Sequence, residues 1–324
     1  MSDQAAVEQP NKGDATDAGS SIFKRSSQVQ PAFPQPLPTA ALEDIDAEYQ
    51  MGNPSRGFCL IFNHRYCLQQ LIKSVALKQV NFLSSTHQPT REGSDVDASS
   101  IENSFRRLGF DVRTFRDLTA SNLLDVLREF RLKNHSNNDC FAVVLLSHGY
   151  EGHFYAKDRD LPIDFVVRQF KPDACKTLAG KPKLFFIQAC RGDNFDRGVE
   201  VTDGEDDTLD ALPPAGVGVG SGAGISGPFR VPLESDFFFF YSTPPGYFSW
   251  RNSHRGSWFG QQLTALLDRH GDRMELQHLM LMVQRLVSSA YASDTGDPKS
   301  TGMKQMPVTV SQLRKLLYFR PKQH

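Results

Sequence analysis

The chain has 324 residues, and its 36 lysines and arginines against 37 aspartates and glutamates leave a formal charge of −1. That balance gives no electrostatic reason to expect nucleic acid or an anionic membrane as partner. With 39% apolar and 10% aromatic residues, the composition is that of a globular protein with ample length for a core.

The opening MSDQAAVEQPNKGDATDAGS lacks the apolar centre of a secretory signal. The longest apolar runs, Phe141 to Leu146 and Phe237 to Tyr241, are too short to span a bilayer. Five cysteines (Cys59, Cys67, Cys140, Cys175, Cys190) form an odd set without C-x-x-C spacing. They read as reduced thiols in a cytoplasmic setting, most of them small buried residues.

Residues 1–50, rich in Ser, Pro, Gln, Ala and Asp, show no apolar period and read as a disordered lead-in. Order is expected to begin at the apolar run Gly57 to Phe62. A helix over Asp95 to Leu108 and a strand over Gly109 to Phe115 follow. Leu123, Leu124, Leu127 and Phe130 give Thr119 to Lys133 helical spacing. Cys140 to Leu146 and Lys183 to Ala189 are continuous apolar runs, as strands buried on both faces should be. Asp236 to Thr243 reads as a fifth strand and Met306 to Val310 as a sixth, with helices over Trp258 to Asp268 and Met274 to Ala290 between them. The four phenylalanines Phe237 to Phe240 are expected in the core. Strands alternating with helices predict an α/β fold, about six mostly parallel strands in a three-layer α/β/α sandwich. Thr202 to Pro228, an acidic DGEDD followed by PPAGVGVGSGAGISGP, can build no core and reads as an exposed linker.

Two short motifs end apolar strands. QACRG (Gln188 to Gly192) closes one, and SHG (Ser147 to Gly149) closes the strand before it, so that His148 precedes Cys190 by 42 positions. Both residues would stand where parallel strands stop, the side on which open α/β sheets bind ligands. A lone cysteine is usually a buried thiol and a lone histidine a structural one. The pairing of these motifs points instead to a nucleophile and a general acid/base.

From about Gly57 onward the chain resembles the caspases, cysteine proteases that cut after aspartate. GSDVDASSIENSFRRLGFDV (Gly93 to Val112), LAGKPKLFFIQACRG (Leu178 to Gly192) and YSTPPGYFSWRNSHRGSWF (Tyr241 to Phe259) are similar to effector members with short lead-ins. The resemblance implies Cys190 as nucleophile, His148 as acid/base, and an oxyanion hole of the Gly149 and Cys190 N–H groups. It implies a pocket for the substrate aspartate built from Arg91, Gln188 and Arg251, with Ser249 beside them. Phe248 and Trp250 would wall an apolar pocket for the residue two before the cut, and Asn252 and Trp258 would contact the fourth residue. The resemblance supplies no third member for a triad. One departure stands out: effector caspases carry several aromatic residues in the loop before the last strand, and Asp294 to Met303 has none.

The same resemblance divides the chain into a lead-in (1–50), a large subunit (51–203), an intersubunit linker (204–230) and a small subunit (231–324). Cleavage after Asp203, at the end of EVTD, would activate a zymogen; Asp17 and Asp46, each followed by Ala, are both candidates for lead-in removal. Protein substrates, an upstream caspase, caspase inhibitors and a second copy joined through Met306 to Val310 are the partners implied. No cofactor or metal is called for. Gly222 to Gly227 satisfies G-x-G-x-x-G, yet it follows a linker and opens no helix. His148, His153 and Cys190 lack a fourth ligand to close a tetrahedron. The rival reading is a catalytically silent caspase-like decoy, which would be expected to lose Cys190, His148 or a pocket arginine.

Overall fold

A computed structural model describes residues 47–67, 89–200 and 232–322, all within the compact unit Leu37–His324. Asp17, Asp46, Asp203 and the linker lie outside the described residues. In chain order the elements are β1 (Phe58–Asn63), α1 (Ser94–Arg107), β2 (Asp111–Arg116), α2 (Ala120–Leu132), β3 (Phe141–Leu146) and the short strands β4 (Gly149–Tyr150), β5 (His153–Tyr155) and β6 (Asp160–Pro162). Then come α3 (Ile163–Arg168), β7 (Lys183–Gln188), β8 (Phe237–Tyr241), the two-residue strands β9 (Arg251–Asn252) and β10 (Gly256–Ser257), α4 (Trp258–His270), α5 (Leu276–Ala290) and β11 (Val308–Ser311).

The main sheet runs β11-β8-β7-β3-β1-β2. All neighbours are parallel except β11, which pairs antiparallel to β8. The alternation of side chains decides which layer each residue joins. Cys59, Ile61, Ala142, Val144, Leu184 and Phe186 face the core beneath α1, α4 and α5. Leu60, Phe62, Val143, Leu145, Phe185 and Ile187 face the opposite core with α2 and α3. Both faces of β1, β3 and β7 are therefore covered, which is why these runs are apolar without interruption. Phe238 and Phe240 enter one core; Phe237 and the half-buried Phe239 enter the other. Each fully buried phenylalanine contributes ~1.5–3 kcal/mol.

The helices begin where the sequence supplies caps. Thr119 Oγ1 accepts from the Asn122 N–H (3.3 Å), Ser257 Oγ from the Gly260 N–H (2.9 Å) and the Glu275 carboxylate from the His278 N–H (3.0 Å). Among the described residues no helix is long and apolar enough to cross a membrane.

Three features depart from expectation. The hairpin β4–β6, helix α3 and the β9–β10 pair are too short to carry a readable period. The last strand starts two residues later than predicted, at Val308. Ala47 to Gln50, inside the expected lead-in, are ordered against the C-terminal segment. There Ala47 O accepts from the Leu316 N–H (2.8 Å), Tyr49 N–H donates to Leu316 O (3.0 Å), and the Tyr49 hydroxyl donates to buried Asp236 (2.6 Å).

The chain starts the sheet at β1, places β2 on one side, then crosses to β3 on the other and continues outward from there. The change of direction lies between β1 and β3, where open α/β sheets bind ligands beyond the carboxyl ends of the strands.

Candidate active site

At the carboxyl ends of β3 and β7, parallel register pairs Leu146 with Gln188, and the ladder extends one step through the Ser147 N–H to Gln188 O bond (3.1 Å). His148 and Cys190 each come two residues after this pair, so adjacent strands deliver them to the same edge. They line a cleft of ≈ 420 Å³ together with Pro89 and Gln188. Four of the five cysteines are buried; Cys190 alone is half-exposed.

His148 Nε2 lies 2.7 Å from the carbonyl oxygen of Pro89. A carbonyl only accepts, so Nε2 carries a proton and donates it, leaving Nδ1 as the basic nitrogen. Burial pulls the imidazole down to about 4, against a partial rise from the Pro89 contact, and Arg91 and Arg251 lower it further. Burial pushes the Cys190 thiol up, partly offset by the Ser249 N–H (3.5 Å from Sγ) and by the same two arginines. At neutral pH the resting pair is therefore neutral thiol and neutral imidazole. In this resting form the thiol is directed at Ser249 O (4.0 Å).

Gly149 is packed against this pair by close approach. A Cβ there would meet His153 O at 2.5 Å, the Ala189 Cβ at 3.1 Å and Cys190 O at 3.1 Å. The Tyr155 N–H donates to His148 O (3.0 Å), so Gly149 and Phe154 form the following, non-hydrogen-bonded pair of the β4–β5 ladder. The Gly149 N–H thus points away from β5. The Cys190 N–H has no acceptor among the described residues. Both donors are available to an oxyanion.

Beside Cys190 two guanidiniums converge. Arg91 is fully buried: its Nη1 donates to His64 O (2.9 Å), its Nη2 to Gln188 Oε1, and its Nε has no partner among the described residues. Gln188 Nε2 in turn donates to Ser249 Oγ (3.3 Å). Arg251 Nε donates to Glu92 O (2.8 Å). Neither arginine is ion-paired to a carboxylate among the described residues; their best hydrogen-bond partners are neutral. Burial and then the charge of Arg251 bring Arg91 down to about 9. The buried carboxylate of Asp97 accepts from the Ser257 N–H with both oxygens (2.9 and 3.1 Å), and burial raises it to about 6. Asp97 acts on both arginines at a distance, but with no carboxylate bonded to either among the described residues, the pair can receive an anion directly.

Of the expected contacts, Phe248, Ser249, Trp250 and Arg251 line the cleft. Three do not line it: Arg91, fully buried and hydrogen-bonded to the lining residue Gln188, and then Trp258 and Asn252. Trp258 is buried to 7% exposure behind Trp250, stacked on it at 5.9 Å and on Tyr291 at 5.1 Å. Asn252 is exposed, and its Oδ1 caps a turn by accepting from the His254 and Arg255 N–H groups (both 2.9 Å). The structure adds four residues to the cleft: Pro89, Ser147, Phe195 and Ser300. A backbone carbonyl such as that of Pro89 leaves no signature in sequence. Phe195 had one, an apolar residue three positions beyond QACRG in a polar loop.

The model of the caspase domain family matches residues 56–318. Caspase-7 of Gallus gallus is 40% identical over 280 residues, 86% of each chain. Caspase-3 of Bos taurus is 36% identical over 275 residues, 85% of this chain and 88% of the relative. The crystal structure of caspase-1 from Spodoptera frugiperda superposes with a TM-score of 0.70 at 33% identity, covering 85% of this chain and 96% of that one. The sheet order, the cleft at its carboxyl edge and these relatives agree: the chain belongs to the caspase family and is a cysteine endopeptidase.

Proposed function

We propose that this protein is an effector-type caspase, cutting protein substrates after aspartate during apoptosis in the cytoplasm. One observation carries the specificity: two guanidiniums without a carboxylate partner beside Cys190, one of them fully buried. A substrate aspartate supplies the missing charge. Hydrogen bonds to charged groups contribute ~1.5–3 kcal/mol each, so losing two such contacts costs on the order of 10²–10⁴ in kcat/KM. Ser249 and Gln188 hold the polar wall between the two arginines.

In this reading Cys190 Sγ attacks the backbone carbonyl carbon of the substrate aspartate itself while its proton passes to His148 Nδ1. The Gly149 and Cys190 N–H groups receive the negative oxygen, each such donor being worth ~3–4 kcal/mol. The carbon–nitrogen bond breaks, and the imidazolium returns the proton to the departing amine. Water, deprotonated by the same Nδ1, then hydrolyses the thioester and restores the thiol. Pro89 O holds the ring and its tautomer throughout.

The reading extends to synthesis as a zymogen, activated by an upstream caspase at Asp203, the end of the EVTD motif, and restrained by inhibitors. Assembly as a homodimer would run along β11, the sheet edge where Val310 and the nearby Met306 are exposed. Asp203→Ala should then block activation, and normal processing of that variant would refute this part. The central test is hydrolysis of fluorogenic peptides ending in Asp, Asn, Glu or Ala by linker-cleaved protein and by Cys190→Ala. Rapid turnover of Asp alone, abolished in the variant, is expected. No turnover by cleaved dimer would establish the decoy instead.

A further inference from the structure

The loop after Cys190 is fastened along its length. Arg191 N–H donates to Tyr247 O (3.0 Å) and Gly246 N–H to Arg191 O (2.8 Å). Asn194 N–H donates to Gly246 O (2.9 Å), Phe248 N–H to Asn194 O (3.1 Å) and Lys304 N–H to Asp196 O (2.7 Å). Gly192 lies so close to Gly246 that a Cβ there would meet its backbone at 2.4 Å. Phe195 therefore sits between two pinned neighbours, Asn194 on the 246–248 segment and Asp196 on Lys304.

Its ring is aimed by that clamp onto the apolar wall of the cleft. It stacks on Phe248 with centroids 4.8 Å apart and planes inclined by 21°, and on Trp250 at 5.7 Å and 22°. Near-parallel rings at these distances leave no slot between them for another side chain. Phe195 is 40% exposed and lines the cleft, so its outer face meets whatever enters, beside the partly exposed Phe248 and Trp250. From the far side the loop Asp294 to Met303 contributes Ser300, and that loop holds no aromatic residue.

We propose that Phe195 is a specificity-determining residue for the substrate position immediately before the aspartate, narrowing it to glycine, alanine or serine. This rests on the protease reading above. The stacked ring fills the volume that a valine or leucine side chain needs against Phe248 and Trp250. A larger side chain has to break the stack and move a loop held by five backbone hydrogen bonds.

The test is a peptide series varying only the residue before Asp (Gly, Ala, Val, Leu), hydrolysed by linker-cleaved wild-type enzyme, Phe195→Ala and Phe195→Leu. A methylene or two in an apolar pocket discriminates ~10–200-fold. Wild type should accordingly prefer Ala over Leu by ~10-fold or more. Phe195→Ala should collapse that ratio by raising kcat/KM for Val and Leu, and Phe195→Leu should fall between. An Asp-over-Asn requirement that persists in both variants separates a wall from a general disturbance of the site. Equal Ala:Leu ratios in wild type and Phe195→Ala, with Asp peptides turned over by both, would overturn this proposal alone. Uniform loss across the series in Phe195→Ala would also overturn it, making the residue a support for Cys190. No turnover of any Asp peptide by wild type would remove the protease reading and this one together.

Discussion

Arg56 and Arg91 are buried to the same extent, at 1% and 0% exposure, and their surroundings are opposite. Arg56 is complete. Its Nη1 meets Asp139 at 3.1 Å, its Nε donates to Leu108 O at 3.0 Å, its Nη2 donates to Arg320 O, and its guanidinium lies 5.6 Å from the Phe319 ring centroid. Lys322 adds a second cation to the same carboxylate. Arg91 has a carbonyl, a glutamine, an orphaned Nε and a second arginine for company. Removing a charge from water is repaid only when it is paired and fully hydrogen-bonded. The first arginine ties the amino- and carboxyl-terminal segments to the sheet; the second has no carboxylate bonded to it among the described residues, which suits the anion-binding role proposed for it. Burial alone does not distinguish a structural cation from a binding one. The missing carboxylate does.

The comparison breaks first at Arg91. Arg91→Met should lower kcat/KM for Asp peptides by ~10²–10⁴ and leave the melting temperature unchanged or higher, because an unmatched buried charge is removed. A melting temperature that drops as far as in the Arg56 variant would erase the distinction. Arg56→Met should do the reverse. Breaking a buried pair costs ~3–5 kcal/mol, equivalent to a fall of roughly 6–20 °C at 2–4 °C per kcal/mol. The kcat/KM of the folded fraction should be retained, as active-site titration against kcat can show.

A smaller effect sharpens the contrast from the ligand side. A peptide aldehyde ending in aspartate, at 100 times its Kd, should add about 2.7 kcal/mol to wild-type stability. Thermal shift should record that gain in Arg56→Met and little of it in Arg91→Met; equal gains in both would place the anion elsewhere. The least effect is on pH. His148 sits at about 4, lowered first by burial and further by Arg91 and Arg251. Its base form therefore persists below pH 6, and the acid limb of kcat/KM set by this group should lie well below the ordinary 6.5. Deleting the Arg251 charge favours the imidazolium, so Arg251→Ala should move that limb upward. A limb that stays still or moves down would count against the two cations acting on His148.

The uneven legibility of the chain follows from what a local pattern encodes. Continuous apolar runs located β1, β3, β7 and β8, because burial on both faces demands such residues whatever lies across from them. The four helices read from the sequence, α1, α2, α4 and α5, lie within two residues of their expected bounds at each end. The hairpin β4–β6 escaped because strands of two or three residues hold no period. Trp258 shows what a motif leaves out. Its motif placed it among substrate contacts, and packing put it behind Trp250.

By itself the sequence determined the sheet, the two layers of helices, and the pair Cys190 and His148, each marked by a motif at the end of an apolar strand. Only the tertiary structure decided that Pro89 O orients the imidazole, that Arg91 bonds no carboxylate among the described residues, and that Phe195 stacks on Phe248 and Trp250. Periodicity reports whether a residue is buried, since the solvent boundary repeats along an element. It carries no information about which distant segment supplies the partner, and these three facts are contacts between segments joined only by folding.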